Sequence, residues 1–62
     1  MNFGEQIQAL TQALYLALIA PTDHQSRLAV QLGDQFAVGL SSEAIENCKA
    51  KALQMAIDQD AA

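Results

Sequence analysis

The chain has 62 residues, with seven Asp and Glu against three Lys and Arg, a formal charge of −4, and one each of His, Cys and Pro. A chain this short hides only about 60% of the surface its unfolded form exposes, so one small helical domain over residues 1–62 is expected, at the lower edge of independent folding. A lone cysteine excludes an internal disulfide framework or a cysteine-built zinc site, the acidic balance argues against phosphate-driven nucleic-acid binding, and a hydrophobic content of 52% argues against a disordered tail.

The first helix is expected over about residues 3–20. Asn2 is placed to cap it, with Glu5 three residues on to complete a reciprocal capping box. Phe3, Ile7, Leu10, Leu14, Ala17 and Leu18 recur at threes and fours and predict the inner face. Pro21 then stops the helix, because its ring disfavours helical geometry at Ala20 and removes a donor.

The second helix is expected over 23–38. Thr22 is the cap, Asp23 favours the positive end of the helix dipole, Gln25 stands at the reciprocal box position, and Asp23 and Arg27 are spaced for a minor ion pair. Leu28, Leu32 and Phe36 form the predicted inner stripe, widened by Ala29 and Val30. Gly33 inside this helix costs about 1 kcal/mol relative to alanine: either a neighbouring helix approaches closely there or the cost is simply tolerated. Gly39 supplies a left-handed stop.

The third helix is expected over 42–59, capped by Ser41 or Ser42, with the tail fraying beyond. Leu40 and Ile45 fall at hydrophobic-staple positions if Ser41 is the cap. Ile45, Cys48, Ala52, Met55 and Ala56 share one face, flanked by Leu53 and Ile57, while Glu43, Asn47, Lys51, Gln54 and Asp58 lie opposite. The fold class is therefore all-α, three short helices.

Two short partners leave apolar surface over. Leu14, Tyr15, Leu16, Leu18 and Ile19 make the C-terminal half of the first helix apolar nearly all round, and Ala37 and Val38 add to the second. Self-association covers such a surplus most simply, so these five residues are the candidate interface. A homo-oligomeric bundle is expected, with a dimer favoured and a further protein as the other candidate partner.

Chemistry is sparse. His24 neighbours Asp23 in a first helical turn, where adjacent residues face different directions and no second ligand is spaced to help. Cys48 lies on an apolar face and reads as core filler, and Glu43 and Glu46 complement a helix dipole. No phosphate-cradling glycine loop, nucleophile elbow or metal spacing occurs. No enzymatic activity, cofactor or metal is expected. Nor is a secretory leader: the start, Met1-Asn2-Phe3-Gly4-Glu5, is acidic rather than basic. The longest apolar run, Ala13–Ala20, is eight residues against the roughly 20 of a membrane span. The C-terminal residues hold no cysteine for lipidation, and the lone Cys48 fits a reducing compartment. A cytoplasmic location without membrane or nucleic-acid partners is expected.

Gly39-Leu40-Ser41-Ser42-Glu43-Ala44-Ile45 resembles the turn and following helix of a helix-turn-helix DNA-binding unit. Ala37-Val38-Gly39-Leu40-Ser41 with Ile45 likewise resembles the start of the DNA-binding domain of quorum-response regulators. Asp34 and Gln35 depart from the apolar and small residues of the first pattern, and Glu43 and Glu46 occupy the face that would meet phosphates. Across residues 13–52, Tyr15-Leu16-Ala17-Leu18-Ile19-Ala20-Pro21-Thr22-Asp23, Gly39-Leu40-Ser41 and Cys48-Lys49-Ala50 resemble short all-helical proteins of marine cyanobacteria and their viruses. That resemblance implies a cytoplasmic or virus-encoded accessory protein and carries over no site residues. The expected function is a small structural or adaptor protein acting through contact. The alternatives are a transcriptional regulator using the Gly39 junction and a binder of a small apolar ligand between helices, lined by Cys48 and Met55.

Overall fold

The computed structural model describes residues 2–61, with side chains as far as Gln59; Met1 and Ala62, the ends of the expected domain, lie outside the described residues. Along the described residues run three helices and no strand: α1 (Phe3–Ile19), α2 (Asp23–Ala37) and α3 (Ser42–Ala61). α1 and α2 each stop one residue short of expectation. α3 continues to Ala61, two residues beyond the expected end at Gln59. No glycine or proline follows Ser42 to end that helix.

The caps obey local chemistry. Asn2 Oδ1 accepts from the Glu5 amide at 2.8 Å and the Asn2 amide donates back to the Glu5 carboxylate, closing the box. Thr22 Oγ1 accepts from the Gln25 amide at 3.2 Å, and Ser41 Oγ accepts from the Ala44 amide at 3.1 Å, which makes Ser41 the cap of α3. Gly39 takes φ +84°, the left-handed conformation that lets the chain leave α2, and the Leu40 amide donates to the Ala37 carbonyl. The expected Asp23–Arg27 ion pair does not form. Among the described residues the pair within range is exposed Lys49 with Glu46, at 3.4 Å.

Two long-range clasps set the direction of α2. Gln6 Nε2, near the start of α1, donates to the carbonyls of Phe36 (2.7 Å) and Val38 (2.6 Å) at the end of α2. Ser26 Oγ, near the start of α2, donates to the Ala17 carbonyl (3.0 Å) near the end of α1. The two helices are antiparallel, and each clasp satisfies carbonyls that a helix end leaves without intrahelical partners. α3 instead runs in the same direction as α1: Cys48 Sγ lies 3.7 Å from the Ile7 carbonyl, and the Tyr15 hydroxyl donates to Gln59. α2 and α3 hardly touch each other. α1 is therefore the shared partner, packed by one helix on each of two sides.

This arrangement corrects the predicted inner faces. On α1, Leu10 is 2% exposed as expected and Ile7, Leu14 and Ala17 are half-buried, but Phe3 is 60% and Leu18 52% exposed. Ala13 and Thr11 are buried in their place. A helix gripped from two sides buries two narrow arcs, here Gln6, Leu10, Ala13 and Ala17 toward α2 and Ile7, Thr11 and Tyr15 toward α3. Thr11 tolerates burial because its hydroxyl donates back to the Ile7 carbonyl at 2.9 Å. Leu18 lies one turn beyond Tyr15, whose partner Gln59 is already in the last turn of α3, so little of that helix remains to cover it.

On α2 the predicted stripe is displaced in part: Phe36 and Ala29 are half-buried as expected, but Leu28 is 51%, Leu32 43% and Val30 43% exposed, and the buried residue is Gly33. A methyl group built on Gly33 would lie 3.5 Å from Leu10 Cδ1, 3.7 Å from Ala13 Cβ and 3.9 Å from Leu14 Cδ2. Small residues meeting small residues let two backbones approach, and the leucines beside them are left straddling the contact. On α3, Cys48 and Ala52 are buried, Ile45, Met55 and Ala56 half-buried, and the predicted polar face is exposed throughout.

Candidate functional site

The five residues expected to form one interface point in three directions. Leu14 is half-buried over Gly33, and Tyr15 is half-buried and hydrogen-bonded to α3. Leu18 faces the open end of the α1–α3 contact, while Leu16 and Ile19 lie on the side of α1 that neither helix covers. The structure does not gather them into one patch.

It exposes other large apolar residues expected in the core or on its flanks: Phe3, Leu28, Val30, Leu32, Leu53 and Ile57 all stand out in solvent, as does Val38, expected as surplus. For Leu28, Val30 and Leu32 the signal in the sequence is the width of the apolar arc on α2, where Leu28, Leu32, Phe36, Ala29, Gly33, Ala37 and Val30 together span about 200° at roughly 100° per residue. One neighbouring helix covers only part of such an arc.

The exposed surface is large for the mass. A compact monomer of 6.6 kDa exposes about 3,900 Å² on the usual scaling, whereas this chain exposes 4388 Å², some 500 Å² more. The radius of gyration, 11.4 Å, also exceeds the about 10.6 Å expected of 62 residues. Both excesses follow from α2 and α3 standing apart.

A groove runs along the outer side of the α1–α3 contact. Its larger section, about 390 Å³, is lined by Ile7, Gln8, Thr11, Gln12, Lys51 and Met55. An adjoining section of about 230 Å³ is lined by Ile7, Thr11, Ala44, Asn47, Cys48 and Lys51. Met55 and Cys48 therefore do line hollow space, one in each section. The groove opens to solvent and its rim is polar, with Lys51 and the amides of Gln8, Gln12 and Asn47.

His24 is exposed at the start of α2, and Glu43 and Glu46 are exposed at the start of α3. Among the described residues no three of His, Cys, Asp and Glu stand close enough to hold a metal ion, and no helix is long and apolar enough to cross a membrane. The α2–α3 junction at Gly39 lacks the helix-on-helix packing by which a helix-turn-helix unit holds its second helix. Comparison with known proteins finds no matching family model, no matching curated protein and no matching solved structure.

Proposed function

We propose that this chain is a small non-enzymatic structural or adaptor module, cytoplasmic or virus-encoded, that acts through protein–protein contact and self-associates, most simply as a dimer. The observation that carries the reading is the surplus of about 500 Å² of surface over a compact chain of this mass, together with half-exposed leucines on all three helices. Two copies that each hid this excess would bury about 1,000 Å², the size at which specific interfaces begin. The helices and their clasps hold one protomer together; the leucines outside them supply the association energy. Sedimentation equilibrium at micromolar concentration tests this. A dimer or higher species is expected, and a clean monomer across the micromolar range would overturn it.

A second reading rests on the groove lined by Met55 and Cys48: a small molecule with an apolar body, carried between α1 and α3. The openness of that groove to solvent places it behind the first. Native mass spectrometry of freshly purified protein separates the two, since a retained adduct removed by Met55→Gln supports the ligand reading and bare protein counts against it.

A further inference from the structure

The geometry points to Leu16, Leu28 and Leu32 as the face on which a second copy of this chain docks. The inference rests on the self-association proposed above and assigns it to one side of the molecule.

Helical phase places the three together. On α2, Leu32 and Leu28 lie about 100° and 140° to one side of the buried Gly33 and Val30 about 60° to the other. On α1, Leu16 lies about 60° from Ala13, on the side away from Ile7, Thr11 and Tyr15, which face α3. In an antiparallel pair the edges of the same angular sense meet, so Leu16, Leu28 and Leu32 flank one seam of the α1–α2 hairpin, with α3 on its opposite side. The clasps fix the register: Ala17 is level with Ser26 and Gln6 with the end of α2, which brings Leu16 alongside Leu28. All three side chains are exposed in the single chain.

Given self-association, charge selects this face for the second copy. Each chain carries −4, and like charges brought face to face oppose association. Around this seam the neighbouring polar residues are Gln12 on α1 and His24, Gln25, Gln31 and Gln35 on α2, all exposed and none of them a carboxylate. The carboxylate on this side of α1, Glu5, stands about three turns from Leu16 at the start of the helix and is engaged in the capping box. The other apolar side, which carries Val30, Leu53 and Ile57, is bordered by Asp23, Arg27 and Asp34 on α2 and by Glu46 and Lys49 on α3. Two acidic copies can meet through the glutamine-bordered seam without opposing carboxylates. A two-fold axis across it stacks one α1–α2 hairpin on another as a four-helix layer, with the α3 helices outside.

The test is sedimentation equilibrium with circular dichroism on Leu28→Glu and Leu32→Glu, beside Leu53→Glu and Ile57→Glu. The first two are expected to weaken the dimer by about 30-fold or more, the effect of losing one strong interface residue, with helicity retained. The second two are expected to leave its mass unchanged. Because no ion pair lines the seam, raising salt from 50 to 500 mM is expected not to weaken the wild-type dimer. In wild-type protein, oxidative footprinting over a concentration series should show Leu28 and Leu32 becoming protected as dimer forms while Leu53 and Ile57 do not; this readout holds even if a variant unfolds. A dimer that survives Leu28→Glu and Leu32→Glu, or protection confined to Leu53 and Ile57, would overturn the face while leaving self-association intact. A wild-type monomer would overturn both.

Discussion

Replacing Gly33 with alanine probes the α1–α2 contact directly. Glycine inside a helix costs about 1 kcal/mol relative to alanine, and that cost is justified only where a neighbour leaves no room for a side chain. Here the added methyl meets Leu10 Cδ1 at 3.5 Å, Ala13 Cβ at 3.7 Å and Leu14 Cδ2 at 3.9 Å, all ordinary van der Waals separations. Nothing has to move. The propensity gain is therefore kept, and up to about 0.8 kcal/mol more comes from a methyl placed in a buried position. The expected stabilisation is about 1–2 kcal/mol, a large part of the roughly 3–5 kcal/mol that a core this small supplies. At about 4–8 °C per kcal/mol for a small domain, the melting temperature should rise by at least about 4 °C. Thermal unfolding followed by circular dichroism, at one protein concentration so that association does not shift the midpoint, gives the answer. Gly33→Leu is the companion: its branch must enter space held by Leu10 and Ala13, and overpacking should cost about 1–3 kcal/mol. A fall in melting temperature for Gly33→Ala would refute the reasoning, because the helices in solution would then stand closer than a methyl permits.

Gln6→Ala removes both hydrogen bonds to the end of α2 and should lower stability by about 1–2 kcal/mol in urea unfolding; a loss under about 0.3 kcal/mol would mean that water replaces the clasp. Gly39→Ala should destabilise by about 1–2 kcal/mol through backbone strain alone, since φ is +84° and nothing lies within 4 Å of the added methyl. Urea unfolding checks that as well, with an unchanged midpoint as the contrary result. Cys48, buried against the Ile7 carbonyl, should react with iodoacetamide far more slowly in the native protein than in urea, at a rate that follows opening of the α1–α3 contact. Rapid native labelling would contradict its place in the core.

Pro21, Gly39, Asn2, Glu5, Thr22 and Ser41 each act on backbone groups within four residues, and this is why the number, order and approximate ends of the helices were legible from sequence alone. The amphipathic face of α3 was legible too, because one neighbour covers it and its small residues coincide with the centre of its apolar arc. The faces of α1 and α2 were legible only in part, since Leu10 and Phe36 turn inward but Phe3, Leu18, Leu28 and Leu32 do not. A wheel weights the largest side chains and so selected Leu28 and Leu32, but the distance between two helix axes is set by the smallest residues at the crossing, and Gly33 against Ala13 admits the closest approach. Whether α2 and α3 would meet each other, and so whether the leucines on either side of α1 would be covered, depends on three helices at once. That relation lies in no stretch of sequence. The helices were decided residue by residue; the surface left for a partner was decided only when α1 took a neighbour on each of two sides and left the others bare.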